Sequence, residues 1–530
     1  MSATTPPDAE IAAPAQPASG EPAAPGTSFL AANGWPAILV IGLASAAIYA
    51  TAFTFTWPLW KLYTQPQADY AWFGRYTPSS QAIYLGAFVA LFALQYVAYR
   101  ILRSQPNAVP LDAIVAGQII FGILNVWIYP VAALDLYDYF MYGRIVLVYG
   151  GNPFFQPPSA FPDPLVGYSP WPNERSVYGP AWQLLSLLPT WVSGDDMLRG
   201  LVSFKLLGLI AFVVCSLVLW RLLQRLDPAR AASGTLLFAW NPLLQFELVG
   251  NGHNDVVMVL FVLLALWALI AERRLLALPL LALAVLTKLL AVALGPVFLC
   301  GLLRGRGALR DKLGYILASG GVGILLAVAL YAPFWGGVDT LYFLSRGNWF
   351  TASIPTMLRE LLRQRYPYEE AGRLAATLVG LGYAAFMLVR LGLLWREERQ
   401  AQAASTDAAV PAATPDADWL PWLGAAYDLT FVYLAFATLW WQPWYLVWLV
   451  ALAALLPNRL VHERVLLFCY GGTLNYVVFK YIWPVFQPMT YTTIMGISVI
   501  LIFGLPLLHL VCTAGLPRRT PRLASTPATP

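Results

Sequence analysis

Residues 313–335 read LGYILASGGVGILLAVALYAPFW, with no Asp, Glu, Lys or Arg among them. An α-helix needs about 20 predominantly apolar residues to cross a bilayer, and this run supplies them. Residues 36–57, 80–103 and 490–514 repeat the pattern. The hydrocarbon layer holds no water, so every backbone N–H and C=O must be paired within the segment, and such runs must be helices. The remaining composition agrees. Of 530 residues, 59% are hydrophobic and 11% charged, against roughly 25% charged in a soluble domain. The 21 Trp and 27 Tyr suit a chain with many membrane interfaces. The fold expected is all-α: a polytopic transmembrane helix bundle of about 13 spans with long extracytoplasmic loops.

Arginine placement sets the orientation, because cytoplasmic loops carry the excess of Lys and Arg. One alternating path puts Arg100/Arg103, Arg221/Arg225/Arg230, Arg273/Arg274, Arg304/Arg306/Arg310/Lys312, Arg396/Arg399, Arg459/Arg464 and Arg518/Arg519/Arg522 all in the cytoplasm. Both termini are then cytoplasmic, and the chain is a multi-pass protein of the plasma membrane. Residues 1–30 and 516–530 are rich in Pro, Ala, Ser and Thr and read as disordered tails around one membrane domain, 31–515. No basic region precedes the first apolar run, so the N-terminal segment is not a signal peptide. Residues 401–417 form a loop of similar composition. Cys215, Cys300, Cys469 and Cys512 lie in apolar segments without metal-ligand spacing and read as packing residues.

Two segments break the regular alternation. Residues 178–194 (YGPAWQLLSLLPTWVSG) are apolar enough to cross. A crossing there would invert the chain from 199 to 274 and push three arginine clusters outside, so the segment reads as a re-entrant or interfacial helix. Residues 275–303 are too long for one span and short for two, with Thr287-Lys288 in the middle. A broken helix at membrane depth is tolerated where it lines a cavity. The long loops, about 134–198 and 336–369, both fall outside, and loops of that length are usually functional or disordered. The working face is therefore the extracytoplasmic one.

The polar residues concentrate there. The first outer loop opens Asp135-Leu136-Tyr137-Asp138-Tyr139-Phe140-Met141-Tyr142-Gly143-Arg144, and helical spacing puts Asp135, Asp138, Tyr139 and Tyr142 on one face. Carboxylates beside a membrane are costly unless solvated, paired or used, and a partly desolvated one can take a proton from a sugar hydroxyl. The plainer reading is a helix cap within an aromatic belt. Gly150-Gly151-Asn152-Pro153-Phe154 and Val177-Tyr178-Gly179-Pro180 are turn signals. Gly250-Asn251-Gly252-His253-Asn254-Asp255 holds one of three histidines, and its His and Asp exceed what a turn needs. Either could meet a sugar hydroxyl, a phosphate or a divalent ion, while a hairpin turn with a capping Asn254 or Asp255 is the simpler alternative. Trp440-Trp441-Gln442-Pro443-Trp444-Tyr445 reads equally as an aromatic belt or as a carbohydrate platform. Arg346, Arg359, Arg363 and Arg365 lie outside against the charge bias, and guanidinium forks match phosphate oxygens.

The chain has no Walker loop, dinucleotide fingerprint, zinc helix motif or GxSxG. A nucleotide-sugar or ATP donor is therefore not expected.

Taken in order, Asp135–Pro153 (DLYDYFMYGRIVLVYGGNP), Tyr178-Gly179-Pro180, Gly252-His253-Asn254-Asp255 and Gln442-Pro443-Trp444-Tyr445 resemble the GT-C glycosyltransferases. Most similar are the bacterial polyprenyl-phosphate-mannose-dependent α-(1→6)-mannosyltransferases of actinobacterial type. The resemblance implies a multi-span enzyme with a catalytic acid in the first outer loop. Asp135 matches the leading Asp of that pattern, and Asp138 stands where relatives often carry a small polar residue, which leaves the base open between the two. The substrate-binding candidates are Tyr139, Arg144, Asn152, Tyr178, His253, Asn254, Asp255, Lys288, Arg346, Gln442, Trp444 and Tyr445. The expected partners are a polyprenyl-phosphate sugar donor, of mannose by resemblance, a glycolipid or mannan acceptor and the bilayer, with no nucleic acid. The sequence fixes no cofactor and leaves room for a divalent cation (Mg or Mn). A lipid-linked sugar flippase is the alternative reading.

Overall fold

The computed structural model describes residues 34–65, 68–304, 308–404 and 416–515. Both tails, 1–30 and 516–530, and most of 401–417 lie outside the described residues.

The regular structure of the described residues is helical, with only two isolated β-bridges, Pro58 to Ile128 and Thr351 to Trp440. The first third holds α1 (Gly34–Thr54), α2 (Pro78–Ser104), α3 (Leu111–Val126) and α4 (Asp135–Leu147). The middle holds α5 (Pro180–Leu185), α6 (Leu187–Ser193), α7 (Met197–Leu226), α8 (Ala231–Ala239), α9 (Pro242–Gly250), α10 (Asp255–Ile270), α11 (Arg274–Thr287) and α12 (Leu289–Leu303). The last part holds α13 (Leu309–Phe334), α14 (Ile354–Leu362), α15 (Tyr368–Gln400), α16 (Leu420–Ala437), α17 (Pro443–Leu455), α18 (Arg459–Val485) and α19 (Tyr491–Thr513).

Eight described helices are long and apolar enough to cross a bilayer, and the bent pair α9–α10 makes nine. The figure of about 13 crossings is not reached by this measure. The shortfall lies in α3, α11, α12 and α17, apolar helices of only 10–17 residues. Burial sorts the helices by depth. Only 11% of the apolar window of α13, and the same of α15, is buried, so both turn their side chains outward to lipid. α17 is apolar on all sides and wholly buried, which makes it the centre of the bundle.

Both irregular segments are broken into short helices. Residues 180–193 make two helices of six and seven residues, α5 and α6. End to end these reach about 20 Å, short of the ~30 Å hydrocarbon layer. The α11–α12 segment breaks at Lys288, whose backbone is extended (φ −153°, ψ 126°). A second break, Asn251–Asn254, bends α9 against α10 by 117°.

The breaks gather in one place. Gly179 donates its N–H to Thr287 O at 3.2 Å. A Cβ on Gly179 would lie 1.9 Å from the Leu286 carbonyl oxygen, so only glycine allows this approach. The second long loop, 336–369, docks on the same region: Thr351 N–H donates to Leu439 O, and Trp441 N–H donates to Thr351 O, both at 3.1 Å. Non-helical backbone at this depth persists because protein groups satisfy it. Lys205, fully buried on α7, donates to the carbonyls of Ile128 and Gly250 and ties the end of α3 to the α9–α10 turn.

Candidate active site

Asp135 is the first residue of α4. A carboxylate at a helix N-terminus is stabilised by the unpaired N–H groups there. The side chain keeps 21% of its surface exposed and faces His253, with Oδ2 3.4 Å from Nδ1. His253 is buried, and its Nε2 lies 3.4 Å from Glu247 Oε2 on the other side. Asn251 Nδ2 and Tyr476 OH both donate to that same Glu247 oxygen, at 2.9 and 3.1 Å. The imidazole stacks on Trp444, centroids 3.7 Å apart and planes within 20°. Its position is set by the break: His253 N–H donates to Glu247 O at 3.0 Å, and Gly252 takes φ +77°, with the Leu136 side chain closing against it.

Asp255 begins α10 and pairs with Lys288, Oδ2 to Nζ 2.7 Å. The Asp255 side chain is fully buried, while Lys288 is 15% exposed and lies 4.9 Å from the Tyr445 ring centroid. Tyr139 meets Tyr178 edge-on at 4.8 Å. Burial is the main force pushing the Asp135 carboxyl up, to about 6. The Lys288 charge works against it, the Asp255 charge adds to it, and a hydrogen bond from Tyr178 lowers it.

Several polar atoms of this cluster are buried without a hydrogen-bond partner: Tyr139 OH, Glu247 Oε1, both ring nitrogens of His253, both amide atoms of Asn254 and Asp255 Oδ1. Native interiors rarely leave such groups unpaired, so their convergence marks a place built to receive polar groups. Among the described residues, no three His, Cys, Asp or Glu side chains are arranged to hold a metal ion.

The sequence candidates thus divide. Asp135, Tyr139, Tyr178, His253, Asn254, Asp255, Lys288, Trp444 and Tyr445 come together. Gln442 is half-buried, and its carbonyl accepts from Tyr445 N–H at the start of the α17 turn. Asp138, Arg144 and Asn152 instead hold the loop. Asp138 is buried and accepts from Ser169 Oγ at 2.5 Å. Burial pushes its carboxyl well above the usual range despite the Ser169 bond. Arg144 donates to Asp163 at 2.8 Å and to Asp195 at 2.7 Å, closing the loop on itself. Asn152 Nδ2 donates to Phe334 O at 2.7 Å, fastening the loop to α13. The Arg346 side chain lies outside the described residues. Among the other arginines of the second long loop, Arg359 is committed to Glu360 at 2.8 Å and to Tyr368.

Glu247, Tyr476 and Lys205 are missing from the candidates read in the sequence. A signal was present for two of them. Glu247 sits alone in the apolar run PLLQFELVG (242–250), and Lys205 interrupts α7. An isolated charge inside a span is by default a functional or structural site.

A family model described as alpha-(1->6)-mannopyranosyltransferase, N-terminal domain, matches residues 39–304. An alpha-(1->6)-mannopyranosyltransferase A of Corynebacterium glutamicum is 25% identical over 325 residues, 56% of this chain and 66% of the relative. One of Mycobacterium tuberculosis is 26% identical over 397 residues, 71% of each chain. The chain therefore spans about two thirds of the length of the curated relatives it matches. No solved structure matches.

Proposed function

The chain belongs to the alpha-(1->6)-mannopyranosyltransferase family, and from that membership we propose that it transfers mannose from a polyprenyl-phosphate donor to a lipid-linked or glycan acceptor. The reaction takes place at the extracytoplasmic face and inverts the donor's anomeric centre. One observation carries this reading: Asp135, partly exposed, stands at the open side of a buried group of unpartnered polar atoms beside Lys288.

Asp135 takes the proton of the acceptor hydroxyl as that oxygen bonds to the anomeric carbon. The carbon–oxygen bond to the phosphate breaks, and the phosphate keeps the electron pair. A polyprenyl phosphate leaves without needing protonation, so a single base suffices. Lys288 is the cation beside Asp135 and meets the charge growing on the phosphate, as fixed charges do in a water-poor site. Trp444 and Tyr445 offer flat apolar faces to the sugar ring.

The test is product formation. Purified chain in detergent, given polyprenyl-phosphate-mannose and a lipid extract, should yield a mannosylated lipid. A flippase has nothing to show without a bilayer, so absence of product with an active donor would overturn the reading.

The base sets the pH dependence. With His253, Lys288, Asp255 and Tyr178 around it, the Asp135 carboxyl loses its proton near pH 6. A base works only when deprotonated. Turnover should therefore be flat above about pH 7 and fall close to tenfold per pH unit below about 6. A native profile flat down to pH 5 would exclude Asp135 as the base.

The orientation is tested with single cysteines, after replacing the native Cys300 and Cys512 by Ser. A membrane-impermeant thiol reagent added outside should label Trp171→Cys, 48% exposed in the first long loop, and spare Asp311→Cys, exposed at the start of α13. The reverse pattern would place the site on the cytoplasmic face.

A further inference from the structure

We infer that His253 is a positioning residue for Asp135: neutral and protonated on Nδ1, it donates to the carboxylate and holds it in place for the acceptor hydroxyl. Glu247, as an uncharged carboxylic acid, stands behind the ring and donates to Nε2. The inference rests on the mannosyl-transfer reading above and adds two residues that act through the base.

Glu247 is fully buried on α9, and among the described residues no Lys or Arg is paired with it. A carboxylate at membrane depth is ordinarily paired with a cation. The cation of this cluster, Lys288, is held by Asp255 at 2.7 Å. An unpaired buried charge costs far more than a neutral acid, so Glu247 keeps its proton. The contacts show which oxygen carries it. Oε2 has three polar neighbours: Asn251 Nδ2 at 2.9 Å, Tyr476 OH at 3.1 Å and His253 Nε2 at 3.4 Å. Oε1 has no partner. A hydroxyl oxygen gives one hydrogen bond and accepts two, which matches Oε2 with its O–H directed at the imidazole.

The state of the ring follows. His253 is buried in a cluster that already holds the Lys288 cation, so the imidazole is neutral. A neutral imidazole has one N–H and one lone pair. Nε2, facing an acid O–H, is the lone-pair nitrogen. Nδ1 then carries the hydrogen, 3.4 Å from Asp135 Oδ2. A hydrogen bond to a charged acceptor is the stronger kind, so both ends of the ring favour the same tautomer. Trp444 lies flat against one face and keeps the ring from turning. Both contacts are a few tenths of an ångström longer than a formed hydrogen bond, and catalytic hydrogen bonds commonly tighten in the substrate complex.

An N–H on the charged form of Asp135 favours that form, so its removal raises the pH at which the carboxyl loses its proton. Lys288, Asp255 and Tyr178 act on the same carboxyl. Asp138 and Tyr139 on α4, Tyr445 on α17 and Tyr476 on α18 also face it. All of these stay in place in the variants that follow.

Two substitutions at position 253 separate positioning from packing. His253→Asn puts an amide N–H where Nδ1 stood, and His253→Gln reaches one bond further, to the place of Nε2. Both give up the stacking on Trp444 and differ in which nitrogen is replaced. Each is assayed in purified full-length chain with polyprenyl-phosphate-mannose across pH. The acid limb of kcat/KM should stay within about 0.3 pH unit of native in His253→Asn and move up by about one unit in His253→Gln. Acid limbs at the same pH in the two variants overturn the positioning role. The ¹⁵N imidazole signal that disappears in His253→Asn should report, in native chain above the limb, a protonated Nδ1 and a bare Nε2. The opposite tautomer or a doubly protonated ring overturns the assignment. The infrared carbonyl band of protonated carboxylic acids should shrink in Glu247→Gln, and an unchanged band overturns the part given to Glu247. Failure of the native chain to transfer mannose would remove the functional reading, whereas the two spectra need no turnover and test the His253–Glu247 pair by itself.

Discussion

Asp135→Asn is expected to lower mannosyl turnover by about 100-fold or more, since general-base help is typically 10²–10⁴, and to leave donor binding in place. Asn preserves the shape of the side chain and cannot take a proton. The cluster around it is built from other residues: His253 stays stacked on Trp444, and Glu247 stays fixed by Asn251 and Tyr476. The loss should therefore fall on kcat and kcat/KM together, the signature of an interaction made in the transition state. Asp138→Asn is the control. Its amide oxygen still accepts from Ser169, so turnover should stay within a few-fold of native. Transfer of labelled mannose measures both variants, and equilibrium donor binding measures the first. Near-native turnover in Asp135→Asn would rule out its role. A dead Asp138→Asn beside an active Asp135→Asn would exchange the two.

Lys288→Met should be the most destabilising substitution in the site. The Asp255 side chain is fully buried and 2.7 Å from Lys288, and removing the cation strands a buried charge. Breaking a buried pair from one side costs about 3–5 kcal/mol. The partial exposure of Lys288 brings the expected loss to about 2–3 kcal/mol. Adding Asp255→Asn removes the stranded charge and should restore most of the thermal stability in detergent. It should not restore function, because the cation facing the phosphate is still missing, so the donor KM stays raised. Lys288→Met as stable as the native chain would mean that Asp255 is protonated or solvated. Full activity in the stable double variant would mean that Lys288 serves only Asp255.

Much of this architecture is legible along the chain, and the reason is the bilayer. A crossing segment must pair its own backbone and show lipid an apolar surface, so its length and composition are fixed locally. The same constraint exposes the breaks. Thr287-Lys288 and Gly250–Asp255 interrupt apolar runs, and interruptions at that depth must be satisfied by something. Motif order therefore pointed to Asp135, His253, Asp255 and Trp444, and the break to Lys288, and these do come together. The count of spans was less legible, because α3, α11, α12 and α17 are short pieces whose burial comes from neighbours.

Two kinds of polar residue could not be separated without the fold. Asp135 and Asp138 stand three residues apart on one helix face, yet one faces the opening and the other is closed under Ser169. Arg144 and Asn152 look like ligand-binding residues until Asp163, Asp195 and the Phe334 carbonyl are found opposite them. Glu247 failed in the other direction: it lies inside an apolar run, and its importance appears only where His253 turns back on it. The sequence by itself determined that this chain is a helical membrane protein, where its helices break and which motifs carry polar groups, because those depend on solvation along the chain. Which of those groups are spent on holding the loop and which are left unpaired for chemistry was decided by the tertiary structure alone. A hydrogen bond or ion pair needs its partner within about 3 Å, and here the partners come from segments tens to hundreds of residues away.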